Sequence, residues 1–450
     1  MRLALLAFLA VSSSLSGVPA YAQSEIPVLP LSSTDQRVIV PATMGVIVNG
    51  NDPQSIELGK RYASLRGIPP SNVIVLTLPR VNYVARHLLV REIAKLQSAP
   101  VYSHLAAYAL AFDKPYRVDS NQSITSAISQ GIETMSWKGN CNVTPRSPDA
   151  GAAAGAGLQA RPSMLLYGGG ELSDSLALAA RGVKADMTDP AGTVFLVKTA
   201  DTARSVPREP SMDRAPPELA DEITISVTKA QTLSGKTDVM GYQTGLPILR
   251  ELDTLHFLPG AYADHLTSFG GAIADERHQT PITALIKAGA TASFGTVREP
   301  CNFPGKFPDP TRLLANYLHG DSILEAYWKS VDMMTEGLLI GEPLARPFPL
   351  ADAKFDGDTL TLRANRHSRP YLEPREAIRT KGNQDSEVRF ALYAVESGTP
   401  KFLAEFLAPG TMKPGDEIGR LDLPSGDHTR IMLAIIPLSA LEATTARDGG

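Results

Sequence analysis

The sequence predicts an α/β fold, with a mostly parallel sheet flanked by helices over most of the chain, followed by a small all-β sandwich. Three observations carry this. Short β-rich apolar runs alternate with stretches of helical apolar spacing as far as about residue 347. Beyond Pro347 the alternation gives way to short β runs separated by Gly, Pro, Asp and Ser. The chain has 450 residues, too many for one ordinary hydrophobic core, and 43% of them are hydrophobic, enough for packed domains.

In order, Val38 to Asn49 (VIVPATMGVIVN) reads as a β run that ends in the turn Asn51, Asp52, Pro53. A helix follows over Ser55 to Arg66, stopped by Gly67, Pro69 and Pro70, before a second β run at Val73 to Leu78. Strand, helix and strand at these lengths make a right-handed parallel crossover the default. Leu88 to Gln97 is helix-like, Leu105 to Phe112 is an apolar strand, and Ser123 to Gly131 is again helical. Residues 142 to 160 are rich in Pro, Ala and Gly and are expected to form a surface loop or a disordered, flexible insertion.

The rhythm resumes with a strand at Met164 to Tyr167, a helix at Ser173 to Arg181 and a strand at Thr193 to Lys198. Ser205 to Pro217 reads as a polar, Pro-rich interruption, and Glu222 to Lys229 fits strand and helix equally. Leu255 to Ala263, Thr280 to Ala288 and Thr291 to Val297 read as strand, helix and strand. Helices follow at Pro310 to Leu318 and Ile323 to Met333. The domain boundary is placed at 347, and Thr359 to Arg363, Glu387 to Val395, Lys401 to Phe406, Ile418 to Leu423 and Thr429 to Ile436 are the strands of the sandwich over 348 to 450.

The amino terminus reads as a signal peptide over residues 1 to 22: Arg2, the apolar run Leu3 to Val11, and small residues at Ala20 and Ala22. An uncleaved anchor is the alternative, but the apolar core is shorter than the roughly 20 residues that span a bilayer. The expectation is a periplasmic or secreted protein with no transmembrane anchor after cleavage. The formal charge of -4 becomes about -5 once Arg2 is removed, a balance that argues against nucleic acid as a partner.

Two cysteines, Cys141 and Cys301, make a disulfide the first expectation in an oxidising compartment. The competing reading keeps Cys301 free as a nucleophile. The densest polar cluster is PGAYADHLTSFGG, Pro259 to Gly271, at the expected carboxyl end of a strand, where ligands bind in open α/β sheets. There His265 can serve as acid or base with Asp264 orienting it, while Gly270 and Gly271 admit a close backbone approach. Cys301 follows the next strand, on the same edge if the two are neighbours. The ordinary alternative is a structural histidine beside a turn. Asn49 and Asp52 are candidate binding residues of the same crevice, against a turn and N-cap role; Asp201 against a surface ion pair with Arg204; Glu299 against a solvated acid. No spacing suits a metal, a G-x-S-x-G elbow or a phosphate loop, so neither a metal nor another cofactor is expected.

Several long motifs resemble a family of exported bacterial proteins of unknown function. They are PGAYADHLTSFGG, AGATASFGTVREPCNFPGKFP, EAYWKSV and IGEPLARPF, with VIVNGNDPQSIELGKRYASLRGIPPSNVIVL, KPYRV, SITSAISQG, ARGVKAD and GTVFLVKTADTAR upstream. The likeness covers most of residues 38 to 350. More distantly, the strand, helix, AGATASFGTV and following helix with Gly320 to Ala326 resemble the caspase-like fold of gingipain and CHAT peptidases, the other parallel-sheet option being flavodoxin-like. Those enzymes carry a His and a Cys at successive strand ends, so the resemblance implies His265 and Cys301 in these roles by order. However, their post-nucleophile helix and strand match Thr280 to Val297 best, which puts the nucleophile near Ala263 to Leu266, where this chain has no cysteine. That departure implies a divergent or inactive relative. Two functions therefore stand: a cysteine-peptidase-like hydrolase using Asp264, His265 and Cys301, or a noncatalytic envelope protein with a Cys141–Cys301 disulfide that binds a peptide, protein or glycan.

Overall fold

The computed structural model describes residues 39–119, 121–133, 141–274, 278–368, 387–396, 399–409, 412–422 and 434–437. The expected signal peptide, residues 1 to 22, lies outside the described residues. The first half of the α/β body contains β1 (Met44–Asn49), α1 (Pro53–Arg66), β2 (Val73–Leu76), β3 (Tyr83–Val84), α2 (Arg86–Ser98), β4 (Ala107–Leu110), β5 (Arg117–Val118), β6 (Gln122–Ser123), α3 (Ile124–Gln130), β7 (Ser163–Leu165) and α4 (Leu172–Ala185). The second contains β8 (Thr193–Lys198), α5 (Glu209–Leu219), β9 (Thr224–Lys229), β10 (Val239–Thr244), β11 (Phe257–His265), α6 (Ile282–Ala288), β12 (Ala292–Thr296), α7 (Pro310–Leu318), α8 (Ile323–Ser330) and β13 (Gly337–Gly341).

Ten of these strands form one sheet in the order β2-β1-β4-β7-β13-β12-β11-β10-β8-β9. β1, β2, β4, β7 and β13 run parallel to one another, and β8 to β12 do the same. The groups meet where β12 pairs antiparallel with β13, Ala292 opposite Gly341 and Thr296 opposite Gly337. From each outer edge inward, the strands of either half come in the order second, first, third, fourth: β2-β1-β4-β7 and β9-β8-β10-β11. The body is thus two similar parallel units laid head to tail.

One turn of chemistry recurs in both units. The Asn49 amide donates to Ser55 Oγ at 2.7 Å, and the Asn51 amide to Asn49 Oδ1 at 3.1 Å. In the second unit the Thr199 amide donates to Ser205 Oγ at 2.9 Å, and the Asp201 amide to Thr199 Oγ1 at 3.2 Å. The spacing of six residues is the same, and each serine ties its strand end to the helical segment that follows.

Buried strands with apolar side chains on both faces require helices on both sides of the sheet. On one face α1 presses Gly59 against Val46 and Val48, and α8 lays Tyr327 over Asp264. On the other, α6 sets Ile282 on Gly295, and α3 bonds Ser129 to Ser163 at 3.1 Å. Helix ends follow local chemistry: Asp52 caps α1 by accepting from the Gln54 amide at 3.1 Å, and Gly67 closes it in the left-handed region at φ 66°.

Three expectations change. Ser205 to Pro217 is helical, a 3-10 turn at Val206–Arg208 running into α5. Pro210 falls in the first turn, where proline is tolerated, and Met212, Ala215 and Leu219 bury an i, i+3, i+7 stripe. Residues 142 to 160 are a loop without helix or strand, and it is tied down rather than loose. Asp149 accepts from the Gln159 amide at 2.6 Å, the Ala160 amide at 3.0 Å and Trp328 Nε1 at 3.0 Å, while Leu158 is buried. Within the α/β body the strands β3, β5, β6, β10 and β13 are additions to the expected set.

Past residue 347, β14 (Ala351–Asp356), β15 (Thr359–Ala364) and β18 (Glu417–Asp422) make one antiparallel sheet. β16 (Glu387–Glu396), β17 (Thr399–Pro409) and β19 (Ala434–Pro437) make another. Phe406 of β17 lies on Gly419 of β18, so the two sheets meet through an aromatic ring on a glycine.

Candidate active site

Strand direction decides which residues can share a crevice. The carboxyl ends of β1, β2, β4 and β7 lie along one edge of the sheet, and those of β8 to β12 along the opposite edge. Asn49 and Asp52 therefore stand across the sheet from Asp201, Asp264, His265, Glu299 and Cys301, and the single crevice expected for all of them does not form. Asn49 Oδ1 accepts from the amides of Asn51 and Leu78, each at 3.1 Å, which holds two strand-end loops together. Asp52 caps α1 and faces Arg80 at 3.6 Å.

On the second edge, β11 and β12 are parallel neighbours, so the loops bearing His265 and Cys301 do emerge on one rim. Neither group is offered to the other. Cys301 is bridged to Cys141, with Cα atoms 5.1 Å apart, and no cysteine is free. Its reading as a nucleophile is corrected accordingly: the sulfur electrons that would attack are held in a bond. The Glu299 carboxylate accepts from the Cys301 amide at 2.8 Å, shaping a turn in which Cys301 has φ 56°.

His265 is 1% exposed. Its Nδ1 lies 2.6 Å from the Leu246 carbonyl and its Nε2 2.9 Å from the Thr280 carbonyl. Gly270 passes close by: a Cβ there would sit 3.3 Å from Nε2, tighter than an ordinary contact. Burial holds the imidazole below its ordinary value, with the two carbonyls pulling the other way. The neutral ring donates to one of these carbonyls, and the other carbonyl covers the remaining nitrogen, whereas a general base needs a nitrogen open to the proton it takes.

Asp264 does not orient that ring. Successive strand residues point to opposite faces, and Asp264 faces α8 while His265 faces the start of α6. The Asp264 carboxylate pairs with Arg208 at 2.7 Å and accepts from Gln243 Nε2 at 2.9 Å and the Tyr327 hydroxyl at 3.3 Å. Arg208 also donates to the carbonyls of Thr244 and Pro308, each at 3.1 Å. The result is a buried polar knot beneath the rim that locks the entry to α5 onto β10, β11 and the segment before α7. Asp201 forms an ion pair with Arg204 at 2.8 Å and accepts from its amide at 3.1 Å.

Sequence reasoning missed Arg208, Gln243 and Tyr327, and also the buried cluster in which Arg66 binds Asp186 and Glu342 while Tyr62 donates to Glu342. The available signal was a charged residue inside apolar context, as in Glu342 directly after the GLLIG strand. Among the described residues no group of three or more His, Cys, Asp or Glu is placed to hold a metal ion. Nor is any described helix long and apolar enough to cross a membrane.

No family model matches the chain, and no curated protein matches it either. A solved chain named "Structure of Protease" aligns with 89% of this chain and 97% of its own length at 9% identity, with a TM-score of 0.41. At that level of similarity no residue role passes from one protein to the other.

Proposed function

We propose that this chain is an exported, noncatalytic binding protein whose loops at the carboxyl edge of β8 to β12 hold a peptide or glycan. The observation that carries the reading is the state of the two groups a cysteine peptidase would need. The imidazole of His265 is buried between two carbonyls, and the sulfur of Cys301 is bridged. A buried ring with a carbonyl against each nitrogen cannot accept the proton of a nucleophile without first breaking out of its site. Two observations fit export: the apolar start with small residues at Ala20 and Ala22, and the disulfide, which persists in oxidising compartments. On the same edge Val206 and Ile248 are exposed apolar side chains.

The test combines turnover and binding. Purified oxidised protein is offered libraries of fluorogenic peptides, with and without reductant, and is then applied to peptide and glycan arrays. The binding reading expects no thiol-dependent hydrolysis in either condition, together with array binding that weakens in Ile248→Asp. Hydrolysis that is abolished both by Cys301→Ala and by His265→Ala would instead establish the peptidase.

A further inference from the structure

A fully buried histidine joins the C-terminal strands to the α/β body. His367 lies in the 3-10 turn Arg366–Ser368 that directly follows β15. Its Nδ1 is 3.2 Å from a Glu222 carboxylate oxygen and its Nε2 2.9 Å from one of Asp189. Glu222 sits between α5 and β9, and Asp189 between α4 and β8, so both belong to the body. Ionised carboxylates only accept hydrogen bonds, so the two contacts are made together only when both ring nitrogens carry protons.

The other charged groups facing this site are few. Arg366, on the same turn, pairs with Asp189 at 2.6 Å and also sets its Nε 3.2 Å from His367 Nε2, a positive neighbour that works against the imidazolium, and His319, at the end of α7, meets the second Glu222 oxygen at 2.9 Å. The Phe348 ring closes a further side, 5.2 Å from the imidazole centre. Asn365 braces the turn by donating to the Pro349 carbonyl at 2.8 Å.

We propose that His367 is a proton-operated latch: its imidazolium fastens the β14-β15-β18 sheet to the α/β body, and loss of the proton loosens that sheet. Electrostatics agrees with the geometry. Burial and, less strongly, the Arg366 charge pull His367 down, but the hydrogen bonds to Asp189 and Glu222 and the Asp189 charge outweigh them and hold the ring above its ordinary value. Burial pushes Glu222 up, yet His319 and His367 bring it down to about 2. A raised histidine stabilises fully below its unfolded value of about 6.5 and ceases to do so as pH rises through the folded value. The lowered carboxylate stabilises above its ordinary 4.5 and is lost as pH falls toward about 2. The latch is therefore fully closed below about pH 6.5, down to the range where Glu222 takes up its proton, and opens as pH rises through the raised value of the folded ring.

Amide exchange over residues 351–364, corrected for intrinsic rates, is followed in a pH series rising from pH 6 in the full chain and in His367→Gln. Native protein should lose protection by about tenfold for each unit by which the ring is raised, and the variant should show no such step. An equal step in both, or none in the native chain, overturns the latch. If the variant does not fold, the histidine ring resonances of the native chain decide. Titration above the ordinary value while the C-terminal strands loosen supports the proposal, and titration at or below it overturns the proposal.

Discussion

What a buried histidine does depends on the acceptors its two nitrogens meet. His265 meets neutral carbonyls and is held below its ordinary value by burial, whereas His367 meets two carboxylates and is held above it. The consequences for stability have opposite sign. For His265 the unfolded chain binds the proton more readily, so stability falls as pH drops below about 6.5. Replacing His265 with Gln should flatten the acid limb of a urea-unfolding profile between pH 7.5 and 5, by at most about 1.4 kcal/mol per pH unit. An unchanged acid slope would mean that the ring is already charged in the folded protein. This residue also marks the limit of what adjacency in sequence can say. Asp264 and His265 read as a charge pair in a loop, but β11 runs on through both, and strand alternation sends one side chain to each face.

Among the elements, most strands and helices of the body were legible because their apolar periodicity is strong. β8 and α7 coincide with their expected limits, Thr193–Lys198 and Pro310–Leu318. The failures have local causes. β10 contains Gly241, which breaks the β pattern and is required because a Cβ there would lie 2.9 Å from the Tyr262 ring. β13 is five residues with a glycine at each end, too short to stand out. α5 was hidden by its prolines, although its buried stripe has helical spacing. Close packing also yields an expectation at this scale. In α1 a Cβ at Gly59 would overlap Val48 of β1, so Gly59→Ala must push helix from sheet. Chemical denaturation should show a loss of about 1 to 3 kcal/mol, where a neutral or stabilising result would mean that α1 is not seated on β1 as described.

For the whole molecule, the α/β class followed from rhythm, but the head-to-tail arrangement of two units did not, because apolar patterns carry no strand direction. That direction, set where β12 meets β13, separates Asn49 and Asp52 from the second rim and leaves His265 and the disulfide as the features to be weighed there. The pairing of Cys141 with Cys301 closes a separation of 160 residues and ties the 141–160 loop to the segment after β12. The binding role rests on that bond being present in the working protein. Alkylation of purified, unreduced protein under denaturing conditions, read by intact mass, tests it most directly. We expect no labelled thiol before reduction and two after it, whereas label on Cys301 before reduction would return a free nucleophile to the rim and contradict the account.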